Sequence, residues 1–210
     1  MRFNRLAYLA QTCRRFTDRQ LEPGILVRLI DCARMAPSSG NRQPFRFVTV
    51  ESKAELETVT GSLTQPLERA MENGKNAGHP PAYILLFTPG KGGNAMDIDT
   101  YVDAGIAAQN IQLAACSEGL ATCIYKEFKE EALTRLAGAE EEYIPLLSIA
   151  VGHSAEKTCI ASSRDGDQIG CFIDSRGIRH IPKRPLHDSI LKQFRDPVNP
   201  LSYLSFHSMQ

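Results

Sequence analysis

Apolar residues recur at helical spacing at Ile25, Leu29, Cys32, Ala33 and Ala36, and Pro37 ends the run because a proline disfavours the helical conformation in its predecessor. Pro23 suits the first position of that helix. Further on, Phe45, Phe47 and Thr49 alternate with Arg46, Val48 and Val50, the two-residue period of a strand. The connection between them, Met35-Ala-Pro-Ser-Ser-Gly-Asn-Arg-Gln-Pro-Phe-Arg-Phe47, is rich in hydroxyls, carboxamides and an arginine. Such a set can grip a polar, planar ligand, and it equally suits a loop that satisfies its own backbone.

The same patterning predicts the remaining elements. A first helix carries Phe3, Leu6, Ala7 and Ala10 on one face and runs to about Gln11, ahead of the basic segment Thr12-Cys-Arg-Arg-Phe-Thr-Asp18. Ser52-Lys-Ala-Glu55 has the spacing of a capping box, and a short helix with Leu56 and Val59 is expected before Gly61. Another helix is expected from near Pro66 to Asn73-Gly74. Ala82-Tyr-Ile-Leu-Leu-Phe87 reads as a buried strand, and Gly90-Lys-Gly-Gly93 as a surface turn, since the phosphate-binding pattern GxxxxGK[ST] is absent. The longest helix spans about Asp99 to Glu118 and is apolar nearly all round, which places it in the core or between two subunits. Gly119 ends it, and strands follow at Leu120 to Tyr125 and Leu146 to Val151, separated by a short helix around Leu133. A hairpin turns at Ser175-Arg-Gly177, the basic pair Lys183-Arg184 comes after it, and a last helix bears Leu186, Ile190 and Phe194. Interleaved helices and short apolar strands predict an α/β or α+β three-layer sandwich.

Composition narrows the function. The 210 residues, 42% of them hydrophobic, suffice for one domain with a full core. We assign residues 1–195 to it and 196–210 to a C-terminal extension that packs on a partner subunit. Lys+Arg 24 against Asp+Glu 24 leaves no global field to attract nucleic acid or an anionic membrane, so neither is expected as a partner. No stretch reaches the roughly 18 to 20 apolar residues that cross a bilayer. The N-terminus lacks the apolar region of a signal peptide, and the six cysteines form no CxxC, so a cytoplasmic protein with reduced core thiols is expected. The five histidines share no ligand spacing with one another or with the cysteines, and no metal site is expected.

Three segments carry a family resemblance. Thr12-Cys-Arg-Arg-Phe-Thr-Asp18 resembles the RRSxRxF segment of the nitroreductase family, and Ala36-Pro-Ser-Ser-Gly-Asn-Arg-Gln-Pro-Phe45 resembles its APSSxNxQPW loop. Asp103-Ala-Gly-Ile-Ala-Ala-Gln-Asn110 with Gly119-Leu-Ala-Thr-Cys123 is similar to its central helix and following strand. The resemblance implies an α+β fold, a three-layer α/β/α sandwich around a central mostly antiparallel sheet, in an intertwined homodimer with FMN in the subunit interface. It implies an NAD(P)H-dependent FMN oxidoreductase, with NADH or NADPH as donor and a small-molecule electron acceptor such as a nitroaromatic or quinone. A flavin-binding storage or sensor protein, or a specialised FMN enzyme of the same family, shares this site.

By the same resemblance Thr12 and Arg14 contact the flavin, and Pro37, Ser38, Ser39 and Asn41 approach it from the other subunit. Lys126 and Glu127 fall where a backbone N–H meets the reactive ring nitrogen, and Lys183 and Arg184 take the phosphate. Catalysis itself is centred on the flavin, so no protein residue is named as catalytic. Chemistry agrees: FMN needs a cation for its phosphate and donors along its pyrimidine edge. Taken alone, Arg14 and Lys183-Arg184 would equally suit solvated surface charges. Two positions depart from the pattern. Ala10 and Gln11 stand where the family has two arginines, removing a phosphate ligand, and Phe45 replaces the usual tryptophan.

Overall fold

The computed structural model describes residues 3–64, 79–90, 97–139, 142–163 and 169–191. The expected helix from Pro66, Asn73, most of the glycine-rich turn after Gly90, Phe194 and the tail from Asp196 lie outside the described residues. The chain divides into two compact units, residues 1–156 and 157–210, and each is described by itself.

The first unit is built on a four-stranded antiparallel sheet of β1 (Arg46–Val50), β2 (Ala82–Pro89), β3 (Ala121–Tyr125) and β4 (Tyr143–Gly152), in the order β1-β2-β4-β3. Strands β2 and β4 are central, which is why their sequences are apolar on both faces instead of alternating. The period of two still sorts the side chains. Ala82, Ile84 and Leu86 of β2 join a core with Leu29 of α2 (Ile25–Arg34) and with Ala104, Ala107, Ala108 and Ile111 of α4 (Ile98–Ser117). Tyr83, Leu85 and Phe87 join the opposite core with Val59 of α3 (Lys53–Ser62) and Leu133 of α5 (Glu130–Ala137). Helices thus cover both faces, and the expected α/β/α layering around an antiparallel sheet is what the chain adopts. A register shift between Leu86 and Phe87 inserts an extra residue opposite them in β4 and carries Leu146 to the same core as Ile149.

Local chemistry explains the element ends. Ser52 caps α3, its Oγ accepting from the Glu55 N–H at 3.4 Å and donating to Glu55 Oε2 at 2.6 Å, so the expected S-x-x-E pair meets through the hydroxyl and not through the Ser52 N–H of a full capping box. The helix continues through Gly61 to Ser62, so Gly61 is not its end. α1 (Phe3–Leu9) stops just short of the expected Gln11. α2 starts at Ile25 because Gly24, at φ 80°, makes the turn that Pro23 was expected to open. Gly119, at φ 73°, turns the chain from α4 into β3. Asp97 caps α4, its Oδ1 accepting from the Thr100 N–H at 2.7 Å and from the Thr100 hydroxyl at 2.6 Å.

The second unit holds a small mixed sheet in the order β5-β7-β6, made of β5 (Lys157–Ser162), β6 (Phe172–Ile173) and β7 (Ile178–Lys183). Strands β6 and β7 form the expected hairpin, with Gly177 at φ 75° in its turn. Strand β5, parallel to β7, was not anticipated. Where the last helix was expected, the described chain makes a 3-10 turn, Leu186–Ser189. All six cysteines are free, and only Cys13 and Cys123 are core residues, while Cys32 and Cys171 are exposed. The expectation that the cysteines are core residues therefore holds for Cys13 and Cys123 and not for the others.

Candidate functional site

Six of the residues singled out by sequence lie on two features of the first unit: Thr12 and Arg14 on a strap over the sheet edge, and Pro37, Ser38, Ser39 and Asn41 on a loop held by the start of α4. The strap is Thr12–Thr17. Thr12 bridges Thr122 of β3, the Cys13 N–H donates to the Thr122 carbonyl at 2.9 Å, and Phe16 bridges Ser154 just past β4. The Thr17 N–H donates to the His153 carbonyl at 2.9 Å, and the Ala155 N–H to the Arg15 carbonyl at 2.7 Å. The segment is polar by composition, yet Cys13 and Phe16 point inward, and the backbone on either side is pinned to two strands. Gly152 makes this possible, because a Cβ there would lie 2.6 Å from the Pro81 ring and 2.8 Å from Phe16. Burial pushes the Cys13 thiol up to about 11, which leaves it inert.

Arg14, between Cys13 and Phe16 on the strap, is half-buried. Its backbone N–H donates to Glu156 Oε1 at 2.7 Å, while its guanidinium has no hydrogen-bond or ion-pair partner among the described residues. Burial raises the Tyr125 phenol, and the Arg14 charge acts in the opposite sense, so Arg14 lies within electrostatic reach of the end of β3. Lys126 and Glu127 leave that end exposed. The Glu127 carbonyl accepts from the Thr64 N–H and hydroxyl, each at 3.1 Å, which ties the turn to the end of α3.

The loop 37–43 is held by carboxylates. The Ser39 N–H donates to both oxygens of buried Asp103 at 3.1 Å, and its hydroxyl to Asp99 at 2.8 Å. Arg42 reaches Asp97 at 3.0 Å and Asp103 at 3.5 Å. The hydrogen bonds from Thr100, then Arg42, hold the Asp97 carboxyl down to about 2. Inside the loop the Gln43 N–H donates to Ser38 Oγ at 3.0 Å, and Gln43 Nε2 donates to Asn41 Oδ1 at 3.1 Å. Asn41 and Gln43 both take positive φ, 56° and 47°, a conformation that costs a side-chain-bearing residue about 1–2 kcal/mol. Much of the polar capacity of Ser38, Ser39 and Asn41 therefore shapes the loop itself. Pro37, Ser38 and Phe45 also line a small cavity of about 190 Å³ beside the end of α2.

Lys183 ends β7 and Arg184 follows it, both exposed, in the second unit. Sequence reasoning missed Glu156, which fixes Arg14, and the loop-holding set Asp97, Asp99, Asp103 and Arg42. Of these only Asp97 had a local signal, the D-x-x-T spacing of a helix cap ahead of Thr100. The Arg14 guanidinium on the strap and the Lys126 ammonium beyond β3, both unpartnered among the described residues, are donors that suit the acceptor-rich edge of a flavin.

Residues 10–153 match the family model described as Nitroreductase family. The chain is 27% identical over 162 residues to FMN reductase (NADPH) of Bacillus subtilis, covering 69% of this chain and 63% of that protein. It shares the fold of a nitroreductase family protein from Streptococcus pneumoniae, with a TM-score of 0.66 at 19% identity over 91% of this chain and 100% of that one. An FMN- and NADPH-dependent nitroreductase from a Sphingopyxis strain superposes with a TM-score of 0.60 at 18% identity, over 74% of this chain and 89% of that one. With the strap, the loop and the central helix all inside the matched span, the chain belongs to the nitroreductase family.

Proposed function

We propose that this protein is an FMN-dependent oxidoreductase, acting as a homodimer, that takes hydride from NADH or NADPH and reduces a small electron-poor acceptor such as a nitroaromatic or quinone. One observation carries the reading. The strap packs Cys13 and Phe16 into the core on one face of the sheet, whereas Ser39 is held by Asp99 and Asp103 of α4, the helix that covers the other face. A single copy keeps the two half-sites apart. Along the outer face of the same helix Ile98, Tyr101 and Val102 are exposed, at 79%, 53% and 57%, and the neighbouring Gly105 leaves open space. A second copy laid on that face covers the apolar stripe and brings its loop to the strap of the first.

In such a site Arg14 and Thr12 would hold the pyrimidine edge of FMN, Lys126 and Glu127 would offer the backbone beyond β3, and the loop of the second copy, with its Pro37, Ser38, Ser39 and Asn41, would complete the site. When bound, FMN would supply the hydride acceptance and delivery, and these residues would hold and orient it. The names of the Bacillus subtilis and Sphingopyxis relatives support the choice of cofactor and donor.

The test is the visible spectrum of the protein reconstituted with FMN, recorded anaerobically after adding NADH or NADPH. A flavin band that bleaches, and returns with a quinone, is the expected result. A band that stays oxidised with both nucleotides overturns the oxidoreductase assignment. Light scattering on Val102→Asp reads the interface, with loss of both dimer and bound flavin expected. A flavin-binding storage or sensor role is the second reading, favoured by one contact. Gln11 Nε2 donates to the Tyr8 carbonyl at 3.1 Å at the end of α1, so its amide is engaged in place of the arginine of the family pattern. Phosphate binding then falls to Lys183 and Arg184.

A further inference from the structure

The small sheet of the second unit assembles three side chains that no part of the flavin reading uses. Cys159 on β5 and His180 on β7 are register partners in a parallel pair, so their side chains share one face of the sheet. Cys159 Sγ lies 3.2 Å from His180 Nδ1. On the far edge of the ring His180 Nε2 lies 3.1 Å from Asp174 Oδ2. Phe172, the register partner of His180 on β6, stacks on the imidazole with the ring centroids 4.6 Å apart and the planes 1° from parallel. Thiol, imidazole and carboxylate thus form a line, with the ring held in plane by an aromatic neighbour.

The carboxylate is held as firmly as the ring. Asp174 Oδ1 accepts from the Ile178 and Arg176 N–H groups, each at 2.9 Å, and Oδ2 accepts from the Arg176 guanidinium at 3.1 Å. The Ile178 N–H, then His180, hold the carboxyl well below the usual carboxylate range. An ionised acceptor at Nε2 keeps the imidazole proton on that nitrogen and leaves Nδ1 open toward the thiol. The array does not converge on a point, because sulfur and carboxylate occupy opposite edges of the ring. Consistently, the described residues hold no His, Cys, Asp or Glu group able to bind a metal.

We infer that Cys159 is a nucleophilic thiol, with His180 as its base and Asp174 positioning His180, that forms covalent adducts with α,β-unsaturated carbonyl compounds. The Cys159 S–H proton passes to His180 Nδ1 as Sγ bonds to the β-carbon. The carbon–carbon π bond opens to an enolate, and the Nδ1 proton then returns to the α-carbon. The product is a neutral thioether, and no oxidant or co-reactant is consumed. This site is independent of the proposed flavin chemistry.

Acrylamide is the probe, and the chain carries its own references in the exposed Cys32 and Cys171. With limiting acrylamide at neutral pH, peptide mass spectrometry should find Cys159 modified well ahead of both, although it is less exposed than either. His180→Phe keeps the stack on Phe172 and removes the base. It should slow Cys159 about a hundredfold, the low end of what a positioned general base contributes, with the reference cysteines unchanged. Asp174→Asn keeps one acceptor oxygen for the N–H groups of the turn and removes both the charge and the second acceptor. Nitrogen NMR of His180 should then show the proton shared between both ring nitrogens instead of held at Nε2, together with slower alkylation. A wild-type Cys159 that reacts no faster than Cys171 and Cys32 overturns the inference, and this comparison stands even if a variant does not fold. An unchanged rate in folded His180→Phe overturns it equally.

Discussion

The strap and the loop do similar work by opposite means. The strap, Thr12–Thr17, is fastened by main-chain hydrogen bonds to Thr122, His153 and Ala155, so its position barely depends on which side chains it carries. The loop 37–43 is fastened by Asp97, Asp99 and Asp103 of one helix end, together with Arg42. One element therefore answers to backbone packing, and the other to charge. Removing a Cβ-sized gap should disturb the first, and removing a carboxylate the second.

The largest effect is expected at Gly152. Gly152→Val drives a branched side chain into Pro81 and Phe16, where even a Cβ comes closer than 3.0 Å, and overpacking of this kind costs about 1–3 kcal/mol or more. A lower melting temperature should come with faster hydrogen exchange at Cys13 and Thr17, while exchange at Asn41 and Arg42 stays as in wild type. Next comes Asp103→Ala, which strips the Ser39 N–H of its acceptor beside a buried position and should cost about 1–3 kcal/mol. Denaturant unfolding reads that loss, and exchange at Asn41 and Arg42 should now rise while Cys13 stays protected.

Acid offers the same contrast without mutation. The Asp97 carboxyl is held below its ordinary 3.8 at about 2, so its contribution is fully present above pH 4 and is lost as pH falls through that interval toward 2. Loop amides should lose protection over this range before the strap amides do, as followed by exchange in a pH series. Equal loss in both would show that the strap also depends on charge. The smallest effect is expected for Ser38→Ala, which removes the acceptor for the Gln43 N–H from a half-buried position and should cost about 0.5–1.5 kcal/mol. It should raise exchange at Gln43 while leaving the strap untouched.

Much of this molecule could be read before its structure was known, wherever the signal lay within one element. The cap at Ser52, the turn at Gly177 and the apolar run of β2 each act over a few residues, so spacing and residue type suffice. Small shifts at helix ends have the same local origin, as where Gly24 rather than Pro23 makes the turn into α2. The charged clamp on the loop was less legible. Ser39 and Asp103 are 64 residues apart, and nothing in either segment names the other.

Sequence by itself therefore determined the described helices and strands of the first unit, the burial of its central strands and the residue types of the strap and loop, because periodicity and turn chemistry are written along the chain; it missed β5 and misread the 3-10 turn at Leu186–Ser189 as a helix. Only the tertiary structure decided which partners those residues meet. It engaged the Ser39 hydroxyl with Asp99, left the Arg14 guanidinium without a partner among the described residues, and paired β5 with β7 in the register that sets Cys159 against His180. The physical reason is that strand register and helix contact are fixed by hydrogen bonds and packing between distant segments. Such contacts leave no period in the sequence from which they could be read.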